Sequence, residues 1–186
     1  MSGTLNIGSK TLATHSTANN TISINNDVVL PDVVLPAGVS TGIAILTEEY
    51  ASGTYGTAIT TGDFRKRNLN TIRYNGQSVV TSLSSGQFAL PAGDYYFNSI
   101  VHNYGTREIA SRIYNITDST EVARGLVGFS YQSEGQSDLI GAVSISSPKT
   151  FELQNRIYQT NSSMTNGTYW SVGTSVNCHL TIIRIA

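Results

Sequence analysis

The chain has 186 residues, enough for one domain or one domain with an appendage. Serine, threonine, glycine and asparagine supply 77 of them, 12 % are charged, and the formal net charge is −1. That balance excludes a long-range pull toward nucleic acid or an anionic membrane surface, and 39 % apolar content with ten tyrosines excludes charge-driven disorder.

The β-branched and aromatic residues, cut by Gly and Asn turns, predict an all-β chain rather than a helical one. No apolar run reaches about 18 residues, so no membrane span is expected. The opening MSGTLNIGSK lacks the basic and apolar regions of a signal peptide. Cys178 is the single cysteine, so no internal disulfide can staple the chain, which must hold together by packing or assembly.

Residues 1–38 differ in texture from the rest. They alternate weakly around Ile22 and Ile24, then present VVLP twice, at Val28–Pro31 and Val33–Pro36. Proline lacks the amide that a sheet interior needs, so each one ends a short strand or marks an edge. The segment reads as an extended N-terminal arm that must lie on something else. Its apolar residues Val28, Val29, Leu30, Val33, Val34 and Leu35 are the candidate partner contacts. The alternative is a first edge strand of the main domain.

From residue 39 onward, strand signals recur at the spacing of a sandwich or barrel. Strands are expected within 41–50, 69–74, 77–83, 94–103, 107–116, 125–132, 138–146, 150–159 and 177–186. Asn75-Gly76 predicts a type I′ hairpin that sets Ile72 across from Val79, because both turn positions need positive φ. Period-two alternation places Tyr95, Phe97 and Ser99 on one face, and Ile109 and Ile113 opposite Arg112 and Tyr114. It likewise separates Leu180, Ile182 and Arg184 from Ile183 and Ile185.

The residues point to no chemistry. His15, His102 and His179 are far apart in sequence, with no second ligand at metal spacing. Cys178 sits in an apolar strand and reads as a small buried hydrophobe. Glu48 and Glu49 are adjacent, so a strand sends them to opposite faces and they cannot form a catalytic carboxylate pair. The only basic cluster, FRKR at 64–67, reads as a place where arginines pair with carboxylates; four residues make a poor nucleic-acid footprint. Tyr50, Tyr55, Tyr131, Tyr158, Tyr169 and Trp170 fall near polar loops and strand ends. They suit either a sugar-stacking surface or packing between subunits. No catalytic residue, metal or cofactor is expected.

Five ordered stretches, GDFRKRNLNTI (62–72), FALPAGDYYF (88–97), SRIYNITDST (111–120), SPKTFELQNR (147–156) and LTIIRIA (180–186), carry a resemblance. Over residues 40–186 the chain resembles a module of phage tail-fibre tips, head fibres and capsid decoration proteins. That module is similar to the trimeric jelly roll of the tumour-necrosis-factor and complement-globular-head class. Arg67, Leu69 and Asn70 stand at its Arg-x-Leu-Asn run. Leu90, Gly93 and Tyr95 stand at its Leu-Pro-Ala-Gly-x-Tyr turn, and Glu152 and Gln154 at its Glu-x-Gln strand. Phe64 stands where the module has Trp.

The resemblance implies a homotrimeric jelly-roll β-sandwich (39–186) preceded by the arm (1–38), with one sheet face buried along a threefold axis. It further implies a non-enzymatic virion surface protein. The leading expectation is a capsid decoration protein whose arm docks on the major capsid protein. The alternative is the receptor-binding tip of a fibre or spike, with a host-surface glycan as partner.

Overall fold

The computed structural model describes the backbone of residues 3–7, 10–16 and 21–24, together with residues 41–54, 56, 61–104, 108–129, 134–158 and 173–185. The chain divides into two compact units, residues 1–38 and 39–186.

In the first unit, β1 (Gly3–Ile7), β2 (Lys10–Ser16) and β3 (Thr21–Ile24) form an antiparallel sheet in the order β1-β2-β3. Gly3 pairs with His15 and Ser16 with Thr21, with a bulge between Leu5 and Asn6. This part of the segment is therefore not the single extended run expected of it. A lone strand leaves its amides and carbonyls without partners, and folding back on itself satisfies them. The candidate contacts Val28, Val29, Leu30, Val33, Val34 and Leu35 lie outside the described residues.

The second unit is a jelly-roll β-sandwich of two antiparallel sheets. Its strands are β4 (Gly42–Tyr50), β5 (Arg65–Lys66), β6 (Thr71–Asn75), β7 (Ser82–Ser84), β8 (Gln87–Leu90) and β9 (Gly93–Tyr104). They continue with β10 (Glu108–Asn115), β11 (Thr120–Arg124), β12 (Gly128–Phe129), β13 (Glu134–Ile145), β14 (Lys149–Tyr158) and β15 (Ser175–Arg184). One sheet runs β13-β9-β15-β4-β6. The other runs β11-β10-β14-β8-β7, with β12 on β10 and β5 on β14.

The facing sides of the two sheets bury the core. Leu46, Tyr95, Phe97, Leu180 and Ile182 come from the first sheet, and Phe88, Ile109, Ile113, Phe151 and Leu153 from the second. The rings of Phe88 and Phe97 sit 5.8 and 6.2 Å from that of Phe151. The alternation read from the sequence for 95–99, 109–114 and 180–185 matches these faces.

The hairpin expected at Asn75-Gly76 does not form. β6 pairs with β4, placing Ile72 opposite Leu46, and the chain then leaves this sheet through a short 3-10 turn at Gly76–Ser78. Val79 and Val80, past this turn, are both buried and belong to no strand. The Asn75 side chain instead holds the crossing: its Nδ2 donates to the Val80 carbonyl (2.7 Å) and its Oδ1 accepts from the Val80 amide (3.0 Å). The two-residue hairpin lies further on, between β7 and β8, where Ser84 pairs with Gln87 and Ser85 and Gly86 both have positive φ (51° and 75°).

The segment 125–129 stitches the two sheets together along one edge. The Gly125 amide donates to Ser111 of β10, while the Leu126 amide donates to Asp138 of β13. A side chain at Gly128 would meet the Gln136 carbonyl at 1.7 Å, so only glycine lets this segment lie so close.

Candidate functional site

The outward face of the β13-β9-β15-β4-β6 sheet departs from the usual pattern for a sheet with one side in water, which alternates apolar inside with polar outside. One row across the strands reads Ala142, Tyr96, Ile183, Ile43. The next reads Ile140, Asn98, Thr181, Ile45, Tyr74. Neither row contains Lys, Arg, Asp or Glu. Ile43, Tyr74, Ile100 and Ile140 are exposed, the last to 66 %, while their strand neighbours Ala44, Phe97, Ser99, Leu139 and Ile182 fill the core. Along these two rows the sheet is uncharged outside and apolar inside, while the neighbouring row carries Asp138 and His179 beside Ile100. Along the edge stitched by 125–129, Leu126, Val127 and Phe129 form a separate exposed apolar strip, each about two-thirds or more accessible.

A buried polar cluster holds one end of the sandwich rigid. Arg67 is fully buried. Its backbone amide donates to the Leu153 carbonyl of one sheet (2.8 Å), while its guanidinium reaches three strands of the other. Nε donates to Glu48 (2.5 Å), Nη1 to the Asn103 side chain (2.8 Å) and the His102 carbonyl (3.1 Å), and Nη2 to the Asn177 carbonyl (3.1 Å). The Tyr50 hydroxyl donates to the other oxygen of the buried Glu48 carboxylate. Cys178 lies in the same region, and burial pushes its thiol up to about 12.

Adjacent Glu49 faces the other way and pairs with Arg73. The Asn70 side chain brackets the Glu49 backbone, accepting from its amide (3.0 Å) and donating to its carbonyl (2.8 Å). These carboxylates brace strands rather than meeting in a cleft.

Most positions that carried the sequence resemblance pack the core or brace strands. Leu69 and Leu90 are in the core. The Tyr95 hydroxyl donates to the Pro91 carbonyl (2.8 Å), closing the turn before β9. On the outside of the second sheet, Glu152 accepts from Gln87 (2.9 Å) and Gln154 (2.6 Å), and Arg112 donates to Gln154 (2.8 Å). The basic cluster divides: Arg67 turns inward, Lys66 sits 4.0 Å from Glu152, and Phe64 folds beneath the guanidinium of Arg112, 4.1 Å from its ring centre.

Of the tyrosines singled out earlier, Tyr50 belongs to the polar cluster and Tyr158 is exposed. Tyr55, Tyr131, Tyr169 and Trp170 lie outside the described residues. His179 and His102 sit on the outward sheet face, and among the described residues no three His, Cys, Asp or Glu side chains converge on a common point.

Among solved structures, murine APRIL superimposes with a TM-score of 0.50 at 10 % identity, covering 78 % of this chain and all of that one. The globular domain of the zebrafish complement 1qA protein superimposes with a TM-score of 0.51 at 8 % identity, covering 78 % of this chain and 98 % of that one. The shared feature is the fold. No protein-family model and no curated protein sequence matches the chain. The jelly roll expected from the sequence motifs is therefore the architecture present, at identities too low to carry any function across.

Proposed function

We propose that this chain is a non-enzymatic structural subunit that assembles as a homotrimer and decorates the surface of a phage head. The observation that carries the trimer is the outward sheet face. Two rows of Ile, Tyr, Ala, Asn and Thr without a formal charge have the composition of a subunit contact core, where charged residues are depleted and aromatics enriched. The separate strip at Leu126, Val127 and Phe129 supplies a second, different surface. A face on one copy meeting an edge on the next is a head-to-tail contact, and such contacts close into rings when the rotation permits.

The virion reading rests on the five sequence motifs, which resemble decoration proteins and fibre tips. It also rests on the two-unit build, in which residues 1–38 are the attachment segment and contact the major capsid protein through Val28, Val29, Leu30, Val33, Val34 and Leu35. Replacing those six residues with serine in the full chain tests this. The variant should keep the circular dichroism and sedimentation of the parent yet fail to bind particles lacking the protein. Undiminished binding would remove the attachment role. Copy number in purified virions separates the two locations: hundreds per particle accord with head decoration, a handful with the fibre tip.

A further inference from the structure

The outer side of the second sheet holds an open groove of about 250 Å³ whose lining includes Phe64, Glu108, Ala110, Arg124, Arg156 and Tyr158. Its concavity follows from the register. Ala110 pairs with Arg156 and Glu108 with Tyr158, so a methyl group stands where its neighbours on β10 carry long side chains. Phe64 forms one wall and is fixed there by cations: Arg112 lies 4.1 Å and Arg124 5.3 Å from its ring centre. Both arginines are anchored in turn by Glu121, which accepts from Arg124 Nε (2.7 Å) and Arg112 Nη1 (3.3 Å). Tyr158 stands exposed at the other wall. Arg156 and Glu108 are also exposed, and neither side chain has a hydrogen bond or ion pair among the described residues.

We infer that this groove binds an acidic sugar residue, a hexuronate-type ring bearing one carboxylate. The Arg156 guanidinium presents the planar donor pair that a carboxylate accepts. Exposed Tyr158 offers an aromatic surface to the apolar C–H side of a pyranose ring, the Phe64 ring under Arg112 closes the other wall, and Glu108 accepts from ring hydroxyls. The volume falls below the 300–1,000 Å³ typical of drug-sized pockets, which suits a single ring rather than a long ligand. Simple anion capture would call for converging donors without aromatic walls, and a chain of net charge −1 is a poor match for a polyphosphate backbone. The lining comes from one chain and includes Val127 of the edge strip, and the binding test does not depend on the virion assignment.

Ligand-observed NMR titration of the full chain with glucuronate, glucose and inorganic phosphate tests the site. Glucuronate should saturate, glucose should bind at least about tenfold more weakly, and phosphate should not compete at equal concentration. Arg156→Gln, at an exposed position, and Ala110→Leu, which fills the floor, should each weaken glucuronate at least about tenfold, with melting curves checking the fold of both. Absence of saturation, equal binding of phosphate, or unchanged glucuronate binding by both folded variants would overturn the assignment.

Discussion

Replacing Arg67 with methionine removes the guanidinium that ties the two sheets together. The loss comprises the ion pair to Glu48 and the donations to Asn103, the His102 carbonyl and the Asn177 carbonyl. Both partners of the ion pair are fully buried. What remains is a carboxylate in a water-poor interior with Tyr50 as its hydrogen-bond donor. Breaking a buried pair by deleting one member costs about 3–5 kcal/mol, because the surviving charge keeps its desolvation penalty. For a chain of this length each kcal/mol is worth about 2–4 °C, so the melting temperature should fall by roughly 6–20 °C. Adding Glu48→Gln to Arg67→Met should recover part of the loss, since it removes the stranded charge, giving a favourable coupling in a double-mutant cycle. Thermal melts followed by far-UV circular dichroism read all four proteins. A single Arg67→Met variant melting within about 2 °C of the parent, or a double variant showing no coupling, would refute the view that this pair is a stranded-charge problem solved by the fold.

Gly86 should be far less tolerant than Gly76: Gly86→Ala places a Cβ 2.5 Å from the Arg67 carbonyl at a φ of +75°, costing about 1–3 kcal/mol, whereas at Gly76 the Cβ meets only the mobile end of exposed Tyr74. Equal melting temperatures for the two alanine variants would contradict the hairpin placement. Cys178, its thiol pushed up to about 12, should resist a disulfide reagent at mild alkaline pH and react at the rate of unfolding; stoichiometric labelling of the native protein within seconds would contradict its burial. Burial raises the Tyr95 hydroxyl above its ordinary value of 10.0, so its contribution to stability is complete below that pH and lost as pH rises through the folded-state value. Tyr95→Phe should cost about 1 kcal/mol at neutral pH, through loss of the bond to Pro91, and should flatten the alkaline decline in melting temperature; an unchanged decline would assign it to other groups.

Strand faces were legible wherever one side of a strand is buried, because period-two alternation survives in the sequence: Tyr95, Phe97 and Ser99, or Ile109 and Ile113, could be assigned without a structure. Asn75-Gly76 misled because turn chemistry is local, whereas the burial of consecutive Val79 and Val80 is a demand of the whole sandwich. The hairpin that does form uses Ser85-Gly86, a weaker turn signal whose two strands span only three and four residues. The arm signal in the prolines ignored what the β-branched run before them does, which is to pair as β1, β2 and β3.

The FRKR cluster was rightly linked to carboxylate pairing, but nothing in its spacing tells that Arg67 is buried to the last atom while Lys66 reaches Glu152 at the surface. The groove was invisible because Phe64, Ala110, Arg124 and the Arg156–Tyr158 stretch come from four separate places in the chain and meet only through strand register. The buried outer sheet face is implied by the resemblance and not by the alternation of any one strand. It became a surface only once Ile43, Tyr96, Ile140 and Ile183 were aligned across four strands.

Assembly through that face is the central claim, and sedimentation equilibrium of the full chain beside an Ile140→Lys variant tests it most directly. Ile140 points outward in one of the two charge-free rows, is exposed and pairs with Asn98, so lysine there leaves the core intact while placing a charge in the contact. The parent should sediment at three times the 19.9 kDa chain mass at micromolar concentration, and the variant as a monomer with an unchanged far-UV spectrum. A parent that sediments as a monomer, or a variant that still assembles as the parent does, would contradict it.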